Sequence, residues 1–173
     1  MRLVIGLGWA ALALAGCARD PAPTLPPAPP IAIEGDSIRY ETSPCYGRCP
    51  VYAVTVRPDG TGIFEGKKFT AVEGTRAFEL SAAEYKAFAD KLQPYRPETG
   101  TRRIAPGEIS CGQAATDLPS VEVTWTRAIG DSQGLYYYFG CRGDGGTRNH
   151  GLADALGAAA EELPIEELIG ERP

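Results

Sequence analysis

The sequence has a single histidine, His150, among 173 residues. One imidazole leaves little room for His-rich metal sites, and no metal or cofactor is expected. There is no surplus of base either: 17 Lys+Arg stand against 22 Asp+Glu, a formal net charge of −5. Phosphate recognition rests on a clustered Lys/Arg excess, so nucleic acid is not expected as a partner. No internal repeat is present, and neither a P-loop nor a dinucleotide fingerprint occurs. The 43% of hydrophobic and 23% of charged residues exclude wholesale disorder and a multi-span membrane protein.

What is present begins with Met1-Arg2, a short positive start, followed by fourteen uncharged residues, 3–16. A helix needs about 20 apolar residues to cross a bilayer, so this run reads as the apolar region of a signal peptide. It ends in Leu14-Ala15-Gly16-Cys17, which resembles the lipobox of bacterial lipoproteins. The resemblance implies cleavage before Cys17, a diacylglyceryl group on its sulfur and acylation of its amino group. Each buried methylene contributes about 0.8 kcal/mol, and two or three acyl chains make membrane attachment long-lived. Ala18 stands where Asp is the usual inner-membrane retention signal of enterobacterial lipoproteins, which implies an outer-membrane address facing the periplasm. Removal of 1–16 leaves 157 residues with 16 basic and 22 acidic groups, enough for one domain with a core.

The expected organisation is a signal peptide at 1–16, an acylated Cys and tether at 17–36, and one globular domain at 37–173. Residues 20–30 carry six prolines in eleven positions. Proline lacks an N–H and fixes φ, so this stretch is expected to be an extended spacer reaching roughly 30 Å from the lipid surface. Beyond it, 37–42, 51–57, 61–65, 68–73 and 75–80 read as strands. Pro58-Asp59-Gly60 turns between the second and third, and Gly66 and Gly74 punctuate the others. Ser81 with Glu84 forms a capping box, and Tyr85, Phe88, Ala89 and Leu92 then fall on one helical face before Pro94. The alternation at 121–126 puts Val121, Val123 and Trp125 toward the core, and 135–139 is the strand that returns. Asn149 caps a last helix with an apolar stripe from Leu152 to Leu163, and 165–169 adds a short helical turn. The order β-β-β-β-β-α-β-β-α predicts an α+β fold: a mostly antiparallel sheet of five to seven strands, disulfide-stapled, with two helices packed on one face.

Apart from Cys17, the domain holds Cys45, Cys49, Cys111 and Cys141. An even number in an oxidising compartment reads as two disulfides, and four cysteines admit three pairings. Loop geometry favours Cys45–Cys49, across a tight Gly-containing turn, with Cys111–Cys141 restraining the long stretch 94–120. Redox chemistry prefers Cys-x-x-Cys at a helix start; here three residues intervene, and Pro50 and a strand follow. The spacings also differ from those of paired zinc knuckles.

The run 43–52, SPCYGRCPVY, with Asp59-Gly60 and Phe64-Glu65-Gly66, resembles domain-of-unknown-function family 6438 of bacterial exported proteins and lipoproteins. The helix at 81–92 and Thr116-Asp117-Leu118-Pro119 are similar too, so the likeness spans 38 to about 139. It implies an architecture and no assigned activity.

Catalytic residues are not expected. His150 has Asp144, Asp154 and Ser110 as possible companions, but they form no recognisable motif. The Gly-rich loop 140–149, with Arg142, Arg148 and Asn149 at a helix start, is a candidate anion-binding segment, centred on Gly143–Asn149. Asp144-Gly145 is followed by too few carboxylates for a calcium loop. In Tyr136-Tyr137-Tyr138 the first and third rings share a face; with Thr124 and Thr126 they form a contact surface if no helix covers that side. The leading expectation is a lipid-anchored, periplasm-facing, non-catalytic domain that binds an envelope partner or serves a structural role. The alternatives are a thiol–disulfide protein working through Cys45 and Cys49, and an anion-binding module.

Overall fold

The computed structural model describes residues 36–143 and 147–170, with side chains in the last long helix from 151 onward. The expected signal peptide, Cys17 and the Pro-rich tether lie outside the described residues. Seven strands follow in chain order: β1 (Ser37–Thr42), β2 (Val51–Val56), β3 (Thr61–Lys68), β4 (Gly74–Glu79), β5 (Thr101–Ile104), β6 (Ser120–Thr126) and β7 (Gln133–Tyr138). They form one sheet in the order β4-β3-β2-β1-β6-β7-β5. All neighbours are antiparallel except β5 and β7. The helices are α1 (Ala82–Leu92) after β4, and α2 (Thr147–Ala158) and α3 (Glu166–Ile169) after β7.

The period-2 pattern of the strands gives the sheet one apolar face. Ile38, Tyr40, Val54, Val56, Phe64, Val121, Val123, Trp125, Leu135 and Tyr137 are all buried there. Alpha1 starts where Ser81 Oγ accepts from the Glu84 N–H at 3.2 Å and the Glu84 carboxylate accepts from the Ser81 N–H at 2.6 Å. It buries Phe88 and Leu92, while α2 and the turn after it bury Leu152, Leu156, Ala159 and Leu163. Each large side chain so buried contributes about 1.5–3 kcal/mol relative to exposure.

Three local expectations are corrected. Four strands precede α1 rather than five: β3 runs through Gly66 to Lys68, and 69–73 is a turn. Gly66 does not interrupt the strand. Its missing side chain admits the returning turn, because a Cβ there would lie 1.9 Å from the Val72 carbonyl oxygen. That turn is held by α3, with the Ala71 and Val72 N–H groups donating to Ile169 and Leu168 carbonyls at 3.0 and 3.1 Å. Second, 94–120 is not all loop: β5 adds itself to the sheet edge parallel to β7 and buries one side chain, Ile104. Third, α2 begins at Thr147, so Asn149 lies within its first turn and is not its cap.

Candidate functional site

The two disulfides join Cys45 to Cys49 and Cys111 to Cys141. The second is buried, beside a bridge between Ala114 and Cys141 and the hydrogen bond from the Arg142 N–H to the Gln113 carbonyl, 2.9 Å. It therefore ties 111–115 to the chain leaving β7. The first joins two half-buried cysteines across an exposed turn leading into β2. No helix begins there, so no helix dipole stabilises a thiolate at Cys45 or Cys49.

The stapled turn meets the segment 116–119, seventy residues later, at one end of the sheet. The Tyr46 N–H donates to the Asp117 carbonyl at 3.0 Å, and Asp117 takes a positive φ of 68° to present it. Ser43 and Ser120 lock the base of the contact: the Ser43 N–H donates to the Ser120 carbonyl at 2.9 Å, and the Ser120 N–H donates to Ser43 Oγ at 2.7 Å. The Leu118 N–H in turn donates to the Tyr138 hydroxyl oxygen at 3.2 Å. Backbone is thus fixed on both sides, yet Tyr46 is 89% and Leu118 42% exposed. Exposed apolar side chains on a constrained backbone bind without a further cost of ordering the loop.

From this end the second sheet face extends without cover from any described helix. Tyr136 and Tyr138 both lie on it, half-buried, along with Thr124 and the exposed Thr126. Arg103, on the neighbouring β5, sits over the Tyr136 ring with its guanidinium carbon 4.1 Å from the centroid. Farther across, Arg39 bridges Glu41 and Glu65 at 3.0 and 2.9 Å, and Lys67 pairs with Glu41. The Arg39 hydrogen bond holds the Glu65 carboxyl below its ordinary pKa against some desolvation. At Glu41, burial alone would raise the value, and hydrogen bonds from Lys67 and Arg39 outweigh it. This part of the face is self-neutralised; the tyrosine end is where apolar contact area remains.

The other candidates are not brought to this end as a catalytic set. Arg142 is exposed, while Asp144 and the side chains of Arg148, Asn149 and His150 lie outside the described residues, so the expected anion-binding loop is not described. Ser110 and Asp154 are exposed; the Ser110 hydroxyl is 3.4 Å from the Arg103 carbonyl, and Asp154 bears on Tyr137, whose hydroxyl pKa is raised by burial first and by that charge second. Among the described residues no cluster of three or more His, Cys, Asp or Glu is placed to hold a metal. Nor is any described helix long and apolar enough to cross a membrane. Arg39 and Arg103 are not evident as site residues in the linear order, because Glu65 and the Tyr136 ring reach them from other strands. The one signal was alternation, which put Arg39 with Glu41 and Arg103 with Thr101 on single faces.

No curated protein and no solved structure matches the chain. The family model for a domain of unknown function, DUF6438, matches residues 36–156, from the start of β1 into α2, and the chain belongs to that family.

Proposed function

We propose that this protein is a non-catalytic, lipid-anchored domain of the bacterial envelope that binds a protein partner through the tyrosine end of its open sheet face. The observation that carries the reading is Tyr46, exposed on a turn that a disulfide and the Asp117 hydrogen bond both immobilise. Beside it, Leu118 and Tyr138 extend an amphipathic surface of the kind enriched at interface centres. Two disulfides fit an oxidising compartment, and the sequence of 1–17 supplies the address and the anchor. The partner is expected to offer apolar or aromatic side chains to this patch and polar groups to the charged strip around Arg39.

The test places a photo-crosslinking residue at Tyr46, and separately at Lys86 on the exposed side of α1, in the full-length protein expressed in its own envelope. The expected result is a discrete adduct from position 46 and none from 86, on a chain that begins at an acylated Cys17. Equal labelling from both positions would remove the binding reading. An intact Met1 with no fatty mass would remove the anchor.

A further inference from the structure

At the opposite end of the sheet from Tyr46, a cleft of about 530 Å³ opens between the start of β1, the second half of α1, the end of β6 and the start of β7. Its volume is that of a small-molecule site. Ile38, Ala89 and Trp125 give it apolar walls. Trp125 is 2% exposed, and its Nε1 is the one buried side-chain nitrogen or oxygen without a hydrogen-bond partner among the described residues. That nitrogen is sealed from solvent, so Trp125 serves the cleft as an apolar wall and not as a donor.

The donors of the cleft come from its charged and hydroxyl groups. Arg96 lines the cleft with its guanidinium carbon 5.7 Å from the centroid of the Trp125 ring. Gln133, itself buried, aims it: the Gln133 side-chain oxygen accepts from Arg96 Nε at 3.0 Å and from Nη2 at 2.5 Å. That partner is neutral, and no described carboxylate lies within ion-pairing distance of Arg96. Its charge and its remaining N–H groups are left for a ligand. The Tyr85 hydroxyl adds a further donor on the α1 wall, kept protonated by burial and secondarily by the Asp36 charge. Asp36 is engaged by the Ala128 N–H at 2.8 Å, and with Glu98 it balances Arg96 and Arg127 around the opening. A balanced rim disfavours a polyanion such as a phosphate ester, so a ligand's single carboxylate would be held by its direct contact with Arg96 and not by the net charge of the cleft.

We propose that this cleft binds a small organic monocarboxylate with an apolar body, its carboxylate accepting from Arg96 and the Tyr85 hydroxyl and its body lying against Ile38, Ala89 and the edge of Trp125. The site is separate from the Tyr46 patch and does not depend on the binding reading given above.

The test uses the full chain with Trp9→Phe, so that Trp125 is the sole indole whether or not 1–16 is removed, and follows the ¹⁵N–¹H resonance of that indole as a reporter on the cleft wall. Sodium benzoate and its uncharged counterpart benzamide are the probes. Benzoate is expected to shift the resonance saturably, and benzamide to bind at least about tenfold more weakly, as loss of a charge-assisted pair requires. Arg96→Gln should weaken benzoate by about tenfold or more, and Tyr85→Phe, which removes one hydroxyl, by less. An indole that ignores benzoate at millimolar concentration, or that answers benzoate and benzamide alike, overturns the proposal. So does an Arg96→Gln variant with unchanged benzoate affinity and an otherwise native spectrum. Should that variant fail to fold, the comparison of benzoate with benzamide on the chain retaining Arg96 decides the matter.

Discussion

The Tyr40 hydroxyl, in the first strand, donates to the carbonyl of Leu156, in the long C-terminal helix, at 2.8 Å across 116 residues of sequence. Leu156 stands in the last turn of α2, where carbonyls run out of helical N–H partners. Tyr40 thus caps the helix from the sheet while packing its ring against Phe88 of α1, 6.3 Å between centroids. Tyr40→Phe keeps the ring and deletes the donor in a buried place. It is expected to cost about 1–2 kcal/mol. Thermal unfolding should show the midpoint lowered by several degrees, with the far-UV spectrum unchanged; an unshifted midpoint would mean that the carbonyl is satisfied otherwise.

Two glycines give opposite expectations for the same substitution. Gly66→Ala drives a Cβ to within 1.9 Å of the Val72 carbonyl, a backbone atom held in place by the α3 contact. The expected loss is about 3 kcal/mol or more. Gly157→Ala sits on the exposed side of α2, and the new Cβ meets only Phe139, at 4.0 Å. Alanine there is expected to gain about 0.5–1 kcal/mol from helix propensity. Chemical denaturation of the two variants measures both signs in one experiment.

Much of the sheet was legible because alternation is a local property. Val121, Val123 and Trp125 reached the core as their spacing implied, and Tyr136 and Tyr138 fell on the face opposite Tyr137. The cysteine pairing followed from loop lengths. Beta5 was not legible: it has four residues and one buried side chain, and its partner is a parallel strand some thirty residues on. Gly66 was misread as a break because a glycine that ends a strand and one that admits a crossing chain look alike in sequence. The cleft was illegible for the same kind of reason. Arg96, Trp125 and Gln133 become one site only through the packing of α1 against the sheet.

The disulfides should differ in what their loss costs. Cys111–Cys141 closes about thirty residues and Cys45–Cys49 only a tight turn. Chain entropy assigns nearly 4 kcal/mol to the long loop, on the order of twice the ~2 kcal/mol of the short one. For a domain of this size 1 kcal/mol moves the midpoint by about 2–4 °C. Cys111→Ser/Cys141→Ser is therefore expected to lower it by about 10 °C, and Cys45→Ser/Cys49→Ser by about half of that. The reverse order in calorimetry would assign Cys45–Cys49 a stabilising role beyond loop closure.

The Arg39 cluster predicts the acid limb of stability. Glu65 and Glu41 both have folded pKa values held below the ordinary carboxylate value of 4.5. A depressed folded value means that the unfolded chain binds protons first as pH falls, so the contribution is present above the unfolded pKa and is lost on descent through the folded one. All three side chains are about a third exposed, which keeps each pair below about 1 kcal/mol and makes it sensitive to salt. Arg39→Gln removes the shared cation but leaves Lys67 on Glu41. The variant is expected to be slightly less stable at neutral pH and to lose less stability than the parent between about pH 5 and 3, chiefly through Glu65. Added salt should narrow the difference between the two chains. Urea midpoints measured across that range decide it: parallel acid limbs for parent and variant would show that Arg39 does not hold these carboxylates in their charged form.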